Sequence, residues 1–284
     1  MRPSTRPNPS RVAIKLIALD IDRTTLTDSY QLLPNVISAV AAAQAAGILV
    51  VPATARSPRA LVPIAGQLAI DGPCVCFNGA WVGTPQSPKA DHQTVLNSEH
   101  LPALLDAARA AELNPMWFTA SQCYAFEDGP LVQRERVATG LDAQISPLGI
   151  EPGLRICKVL CLDTARDGRV AELSGRFDTR FDFVSSGAQL TEVVAPGVTK
   201  QSAMAWLTDT LGIDATAVCA IGDSENDFAL LSWAGTAVAM GNAEPRLKDI
   251  ADFVTASNHV GGAGLAIQHL LAINSQNSYR ETIA

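Results

Sequence analysis

An almost unbroken apolar run, Val12-Ala-Ile-Lys-Leu-Ile-Ala-Leu19, ends abruptly in Asp20-Ile-Asp22. A segment apolar on both faces is the mark of a strand buried in a parallel sheet and covered on both sides by helices. The pattern then repeats. Pro34 and Asn35 lead into an alanine-rich helix that should stop before Gly47, a residue suited to the left-handed position after a helix. Ile48–Val51 reads as a second strand, Ser57-Pro58 as the capped start of a second helix, and Cys74–Phe77 as a third strand. This alternation predicts an α/β fold with a doubly wound, mostly parallel sheet of Rossmann-like type.

From Asn78-Gly79 the style changes. That dipeptide, between Cys74–Phe77 and Ala80–Val82, signals a hairpin. Residues 86–193 mix hairpin-like strands with helices, including Leu101–Glu112, Arg155–Leu162, Ala165–Arg176 and Leu190–Val194, which predicts an α+β insertion with an antiparallel sheet. After Pro196-Gly197 the parallel pattern resumes. Helices are expected at Thr199–Leu211, Asn226–Trp233, Glu244–Ile250 and Ala263–Ala272, and strands at Ala217–Ile221 and Thr236–Ala239. The expected organisation is a discontinuous core, 12–85 and 194–274, an inserted domain, 86–193, and flexible tails, 1–11 and 275–284.

Composition narrows the function classes. Of 284 residues 48% are apolar and 17% charged, which describes a packed globular chain. The net charge of −7, with no run of Lys or Arg, argues against a nucleic-acid surface. Lys15 interrupts the first apolar run and acids end it, so it reads as neither a signal segment nor a membrane span. The six cysteines sit in mostly apolar, strand-like contexts and are expected to be reduced, buried thiols, consistent with a cytoplasmic protein.

The chemistry lies at strand ends. In open α/β sheets ligands bind beyond the carboxyl ends of the strands. Asp20 stands there, where a carboxylate can attack phosphorus, and Asp22 can face the same side as a general acid and base. A simple polar turn reads equally well from those two residues alone. Asp223 follows the strand Ala217–Ile221, and Gly222 is expected to let the chain turn tightly. If the two strands are neighbours, the carboxylates converge, and converging carboxylates call for a cation or a perturbed proton. Asp227 stands one helical turn further on. The acidic loop lacks the spacing of a calcium-binding loop. Thr54 precedes a helix N-terminus, an anion-binding position as well as an ordinary cap. Lys200 opens a helix, where a cation prefers an anionic partner, although a solvated lysine is the plainer reading.

In order, Asp20-Ile-Asp22-Arg-Thr24, Thr54-Ala-Arg56, Lys200 and Gly222-Asp223-Ser-Glu-Asn226-Asp227 resemble the four motifs of haloacid dehalogenase-like phosphatases. Phe77-Asn-Gly-Ala80, Val238-Ala-Met-Gly-Asn-Ala243 and Ala251-Asp-Phe-Val-Thr255 with Asn258 are similar to the Cof-type branch. The resemblance implies a hydrolase of small phosphate esters that works through an aspartyl phosphate. Asp20 would be the nucleophile and Asp22 the acid/base. Mg²⁺ would be held by Asp20, the Asp22 carbonyl and Asp223, with Asp227 in support. Thr54, Lys200 and Asn226 would bind the phosphoryl group, and 86–193 would be the substrate-selecting cap.

Two departures stand out. Arg23 and Ala55 occupy positions where the family usually has Gly. Arg23 is thus a candidate to face a substrate anion or to crowd the cleft, and Asn78 is a second substrate-facing candidate. A phosphomutase, or a phosphate-ester-binding regulatory protein without turnover, are the alternative readings. Within the cap, Trp117, Phe118, Tyr124, Arg134 and Arg136 could face substrate, or simply pack and solvate.

Overall fold

Each residue of the strand Leu16–Leu19 is buried, as its two-sided apolar sequence requires. The computed structural model describes residues 12–87, 89–165, 167–186 and 189–283. The tail expected at 1–11 lies outside them. In chain order β1 (Leu16–Leu19), α1 (Pro34–Ala45), β2 (Leu49–Pro52) and α2 (Pro58–Gln67) come first. Next are β3 (Cys74–Cys76), β4 (Trp81–Gly83), β5 (His92–Gln93), α3 (Leu101–Ala110), β6 (Met116–Phe118) and β7 (Cys123–Ala125). Then follow α4 (Pro130–Thr139), β8 (Gln144–Ile145), β9 (Lys158–Leu162), α5 (Arg169–Phe177), β10 (Asp182–Ser185) and β11 (Leu190–Val194). The chain closes with α6 (Lys200–Leu211), β12 (Val218–Gly222), α7 (Phe228–Trp233), β13 (Thr236–Ala239), α8 (Pro245–Ile250), β14 (Phe253–Val254) and α9 (Gly262–Ile283).

The chain divides into two compact units. The first holds the residues up to Thr54, Ile64–Pro73 and those from Met204 onward. Its five-stranded sheet is parallel throughout, in the order β14-β13-β12-β1-β2. From β1 the chain steps outward to β2, then returns to the other side of β1 for β12, β13 and β14. That reversal makes the carboxyl ends of β1 and β12 the switch point at which open α/β sheets bind ligands. Leu19 pairs with Ile221 and Pro52, so the residues just past the three strands are level. Asn274 on α9 ties the chain ahead of β1, exchanging two 3.0 Å hydrogen bonds with the backbone of Ile14.

The second unit comprises Ala55–Pro63 and Cys74–Ala203. It carries a six-stranded sheet, β10-β11-β9-β6-β7-β8, antiparallel except for the β7–β8 pair. Trp117 is fully buried there, with Tyr124 and Phe126 rings 6.2 and 5.0 Å away. Trp117 and Tyr124 are therefore core residues of this unit.

Two expectations change. Cys74–Phe77 was expected among the parallel strands, but β3 pairs antiparallel with β4 in a separate sheet, β3-β4-β5. The predicted hairpin exists, and its return strand occupies an edge of β3. The compact units group Ala55–Pro63, Cys74–Gly83 and the residues just before Met204 with the insertion. Finally, the helix expected at Ala263–Ala272 continues to Ile283 through the supposed tail. Residues 275–283 contain no Gly or Pro, and extending a packed helix costs far less than nucleating one. Among the described residues no helix is long and apolar enough to cross a membrane.

Candidate active site

The parallel β1–β12 pairing delivers the acids to one place. The Asp20 N–H donates to the Ile221 carbonyl at 3.0 Å, so Asp20 leaves β1 level with the end of β12. Carboxylate oxygens of Asp20, Asp223 and Asp227 lie within 4.8 Å of one another, and all three residues are buried. Asp227 sits in a single 3-10 turn, Glu225–Asp227, ahead of α7. Its Oδ2 accepts the N–H groups of Asp223 at 3.0 Å and of Ser224 at 3.2 Å, which holds the loop in a tight curl.

Gly222 has a different reason from the one expected. Its backbone is outside the left-handed region, so no special turn demands glycine. A Cβ there would lie 2.5 Å from both Cγ and Oδ2 of Asp227. Glycine is required because the Asp227 carboxylate packs directly on that Cα.

Around the acids runs a polar shell. Thr24 Oγ1 donates to Asp223 Oδ1 at 3.3 Å, and Thr25 Oγ1 to the Asp20 carbonyl at 2.6 Å. Arg23 sits at φ 60°, the conformation for which glycine is the usual residue. Its guanidinium is half exposed, 3.6 Å from Asp223 Oδ2 and 3.9 Å from Asp28 Oδ1. Asn242 pins the same loop by donating to the Arg23 carbonyl at 2.9 Å, and its Nδ2 is 3.5 Å from Asp223 Oδ2. Its Oδ1 accepts the Asn258 N–H at 2.9 Å, and Asn258 Nδ2 donates to the Leu26 carbonyl and to Asp28. Asn242 and Asn258 lie in stretches that carried the resemblance, but their roles as loop clamps were not read from the sequence.

The remaining predicted residues are placed as follows. Asp22 is half-buried, and its carboxylate is not in the group of three among the described residues. Thr54 is buried just past the end of β2, beside β1, and Asn226 is half-buried in the turn before α7. Lys200, the first residue of α6, is 1% exposed. Asn78 is buried at φ 54° in the β3–β4 turn. Lys200 and Asn78 both belong to the second unit. Phe118 packs near Phe77, with ring centroids 6.0 Å apart. Arg136 is engaged at the surface with Asp128 and Asp142.

The donor set suits a hard divalent cation. Each of the three side chains offers carboxylate oxygen only, and their spread is one that a small ion about 2.0–2.6 Å from each ligand can bridge. One Asp227 oxygen is committed to two N–H groups, while Asp223 Oδ1 accepts the Thr24 hydroxyl and its Oδ2 faces Arg23 and Asn242.

Comparison with known proteins agrees with this geometry. The sequence profile of the haloacid dehalogenase-like hydrolases matches residues 17–267. The chain belongs to that family, and it is a hydrolase whose relatives generally use a divalent metal. It is 28% identical over 259 residues to the 5-amino-6-(5-phospho-D-ribitylamino)uracil phosphatase of Bacillus subtilis, covering 91% of this chain and 96% of the relative. It is 26% identical over 265 residues to the pyridoxal phosphate phosphatase of Escherichia coli, covering 86% and 94%. The crystal structure of a haloacid dehalogenase-like hydrolase from Bacteroides thetaiotaomicron superposes with a TM-score of 0.81 at 26% identity, covering 90% of this chain and 99% of that one.

Proposed function

We propose that this hydrolase is a Mg²⁺-dependent phosphatase of a small phosphorylated metabolite, a sugar phosphate or a phosphorylated cofactor. The observation that carries the reading is the convergence of three buried carboxylates past the ends of adjacent parallel strands. The phosphorylated substrates in the names of the two curated relatives support the substrate class. In this reading the working partner is a small phosphate ester in the cytoplasm, with neither nucleic acid nor membrane involved.

Asp20 attacks phosphorus while Asp22 gives its proton to the departing alcohol oxygen, which leaves a phosphoryl group on the Asp20 carboxylate. Asp22, now ionised, takes a proton from water. The oxygen of that water attacks the same phosphorus, and phosphate departs with Asp20 restored. Thr54, Lys200 and Asn226 hold the phosphoryl oxygens as charge moves during transfer. Asp20, the Asp22 carbonyl and Asp223 would hold Mg²⁺, with Asp227 in support. The ion supplies positive charge that offsets both the acids and the phosphoryl group. The insertion at 86–193 serves as the cap that selects the leaving group, with Arg23 and Asn78 as substrate-facing residues.

The test is phosphate release from a panel of phosphorylated metabolites, with and without Mg²⁺, for the wild type and Asp20→Asn. Release that needs Mg²⁺ and vanishes in the variant is the expected result. Release that survives Asp20→Asn, or that ignores chelation, refutes the reading. One observation favours a second reading, binding without turnover: a guanidinium already stands 3.6 Å from Asp223. That reading requires phosphate esters to bind unhydrolysed, and Arg23→Gly to restore turnover.

A further inference from the structure

Resting on the metal-dependent reading above, we infer that Arg23 is a resident counter-cation of the carboxylate cluster that competes with the divalent ion for Asp223. Three buried carboxylates within 4.8 Å repel one another, and nearby positive charge or a retained proton relieves that repulsion when no metal is bound. Arg23 is built to supply that charge. Its backbone is held at φ 60° although it carries a side chain, and Asn242 fixes its carbonyl at 2.9 Å. The side chain therefore leaves a pinned loop, and its guanidinium lies at 3.6 Å from a carboxylate that is only 1% exposed.

A second carboxylate stands ready on the other side. Asp28 Oδ1 is 3.9 Å from Arg23 Nε, and Asp28 is itself held by Asn258 Nδ2 at 3.0 Å and lies 3.2 Å from His259 Nε2. A divalent ion on Asp223 repels the guanidinium, and Asp28 offers it an alternative partner at the solvent edge. Metal binding and release of Arg23 from Asp223 are thereby coupled. By reciprocity, whatever the Arg23–Asp223 pair contributes is subtracted from metal affinity.

The test is Mg²⁺ titration by calorimetry, supported by metal-induced shifts in Tm, for the wild type, Arg23→Gln and Asp28→Asn. Arg23→Gln keeps the backbone demand and removes the charge; Arg23→Gly, which also relaxes the φ, is the second variant. The expected result is Mg²⁺ binding about 5-fold or more tighter in both Arg23 variants, the lower end of typical site-to-site coupling. Asp28→Asn, which removes the alternative anchor, should bind Mg²⁺ more weakly than wild type. Arg246→Gln controls for general charge, since Arg246 pairs with Glu225 near the same loop. The contrast should narrow in about 1 M KCl, where the screening length of about 3 Å is shorter than the 3.6 Å separation and the guanidinium is half exposed.

Equal Mg²⁺ affinity in the wild type and Arg23→Gln, or an Arg23 effect no larger than that of Arg246→Gln, overturns the inference. If Mg²⁺-dependent phosphate release persists in that case, the functional reading stands and only the role of Arg23 falls. Absence of Mg²⁺ binding by every variant removes both.

Discussion

Gly222→Ala tests whether the acid loop is held by direct contact between the Asp227 carboxylate and the end of β12. Alanine is allowed by the backbone, so strain in φ does not enter. The new methyl carbon would stand 2.5 Å from Cγ, 2.5 Å from Oδ2 and 2.7 Å from Cβ of a fully buried residue. Either the carboxylate moves and loses the N–H groups of Asp223 and Ser224, or the overlap is absorbed by shifting β12. Hydrogen bonds to a charged group contribute about 1.5–3 kcal/mol each, and overpacking costs about 1–3 kcal/mol. Because these are alternative ways of relaxing one clash, the cheaper route sets the expected loss, about 1–3 kcal/mol, not their sum. Urea denaturation of the metal-free protein measures it. In an Asp227→Ala background the same substitution should cost less, with a remainder from the contact to Cβ. A loss below about 0.5 kcal/mol, the usual range for surface changes, would refute the contact as the reason for glycine.

Three further outcomes follow from the same physics. Lys158 Nζ and Glu192 Oε2 pair at 3.0 Å with both side chains almost fully buried. Lys158→Met alone should therefore destabilise by about 3–5 kcal/mol in urea, and Lys158→Met with Glu192→Leu should recover most of it. Burial pushes the thiols of Cys161 and Cys123 up from 9.0 to about 12 and about 11. An unfolded thiol ionises at lower pH than these folded ones, so their contribution is complete below pH 9 and is lost as pH rises toward 11 and beyond. The urea midpoint should fall progressively over that range, and a flat profile would count against burial of the thiols. Asp20→Asn should raise the Tm of the chelated protein, since repulsion between carboxylates this close amounts to a few kcal/mol at an effective dielectric of about 20. A lower Tm would show that hydrogen bonding to Asp20 outweighs the repulsion.

The sequence was most legible where a local pattern decides the outcome. β1, β2, β12 and β13 are short apolar runs with an acid, threonine or glycine at or just past the end, and burial on both faces leaves little alternative. Ser57 could be read as a cap from its proline neighbour, and its Oγ does accept the Ala60 N–H at 3.1 Å. The acids were legible for the same reason, since both follow such strands. Long-range partners were not. Asn242 meets Arg23 across 219 residues, and Asn258 meets Leu26 across 232. No periodicity in either segment encodes those meetings, which exist only after β13 and β14 have joined the sheet. The edge taken by β3 was ambiguous in the same way, because an apolar triplet fits a parallel or an antiparallel neighbour equally well.

The β3–β4 turn shows what a local pattern can name without explaining. Asn-Gly alone would close a two-residue turn at low cost. Here Phe77 and Asn78 both take positive φ, at 51° and 54°, before Gly79 at 110°. A bulky aromatic residue in that region is strained and persists only where the surroundings over-determine it. They do so here. The Phe77 ring is fully buried, Lys158 Nζ lies 5.6 Å from its centroid, and its N–H donates to the Arg56 carbonyl at 3.0 Å. Beyond it, a Cβ on Gly79 would lie 2.2 Å from the Thr199 carbonyl oxygen. The same Lys158 donates to the Ala55 carbonyl at 2.8 Å, so one buried ammonium serves both the Phe77 turn and the loop that follows Thr54. Strain in this turn is thus maintained by packing within the second unit, and closing the hairpin does not require it. Its consequence is that Asn78 is held in a fixed left-handed conformation.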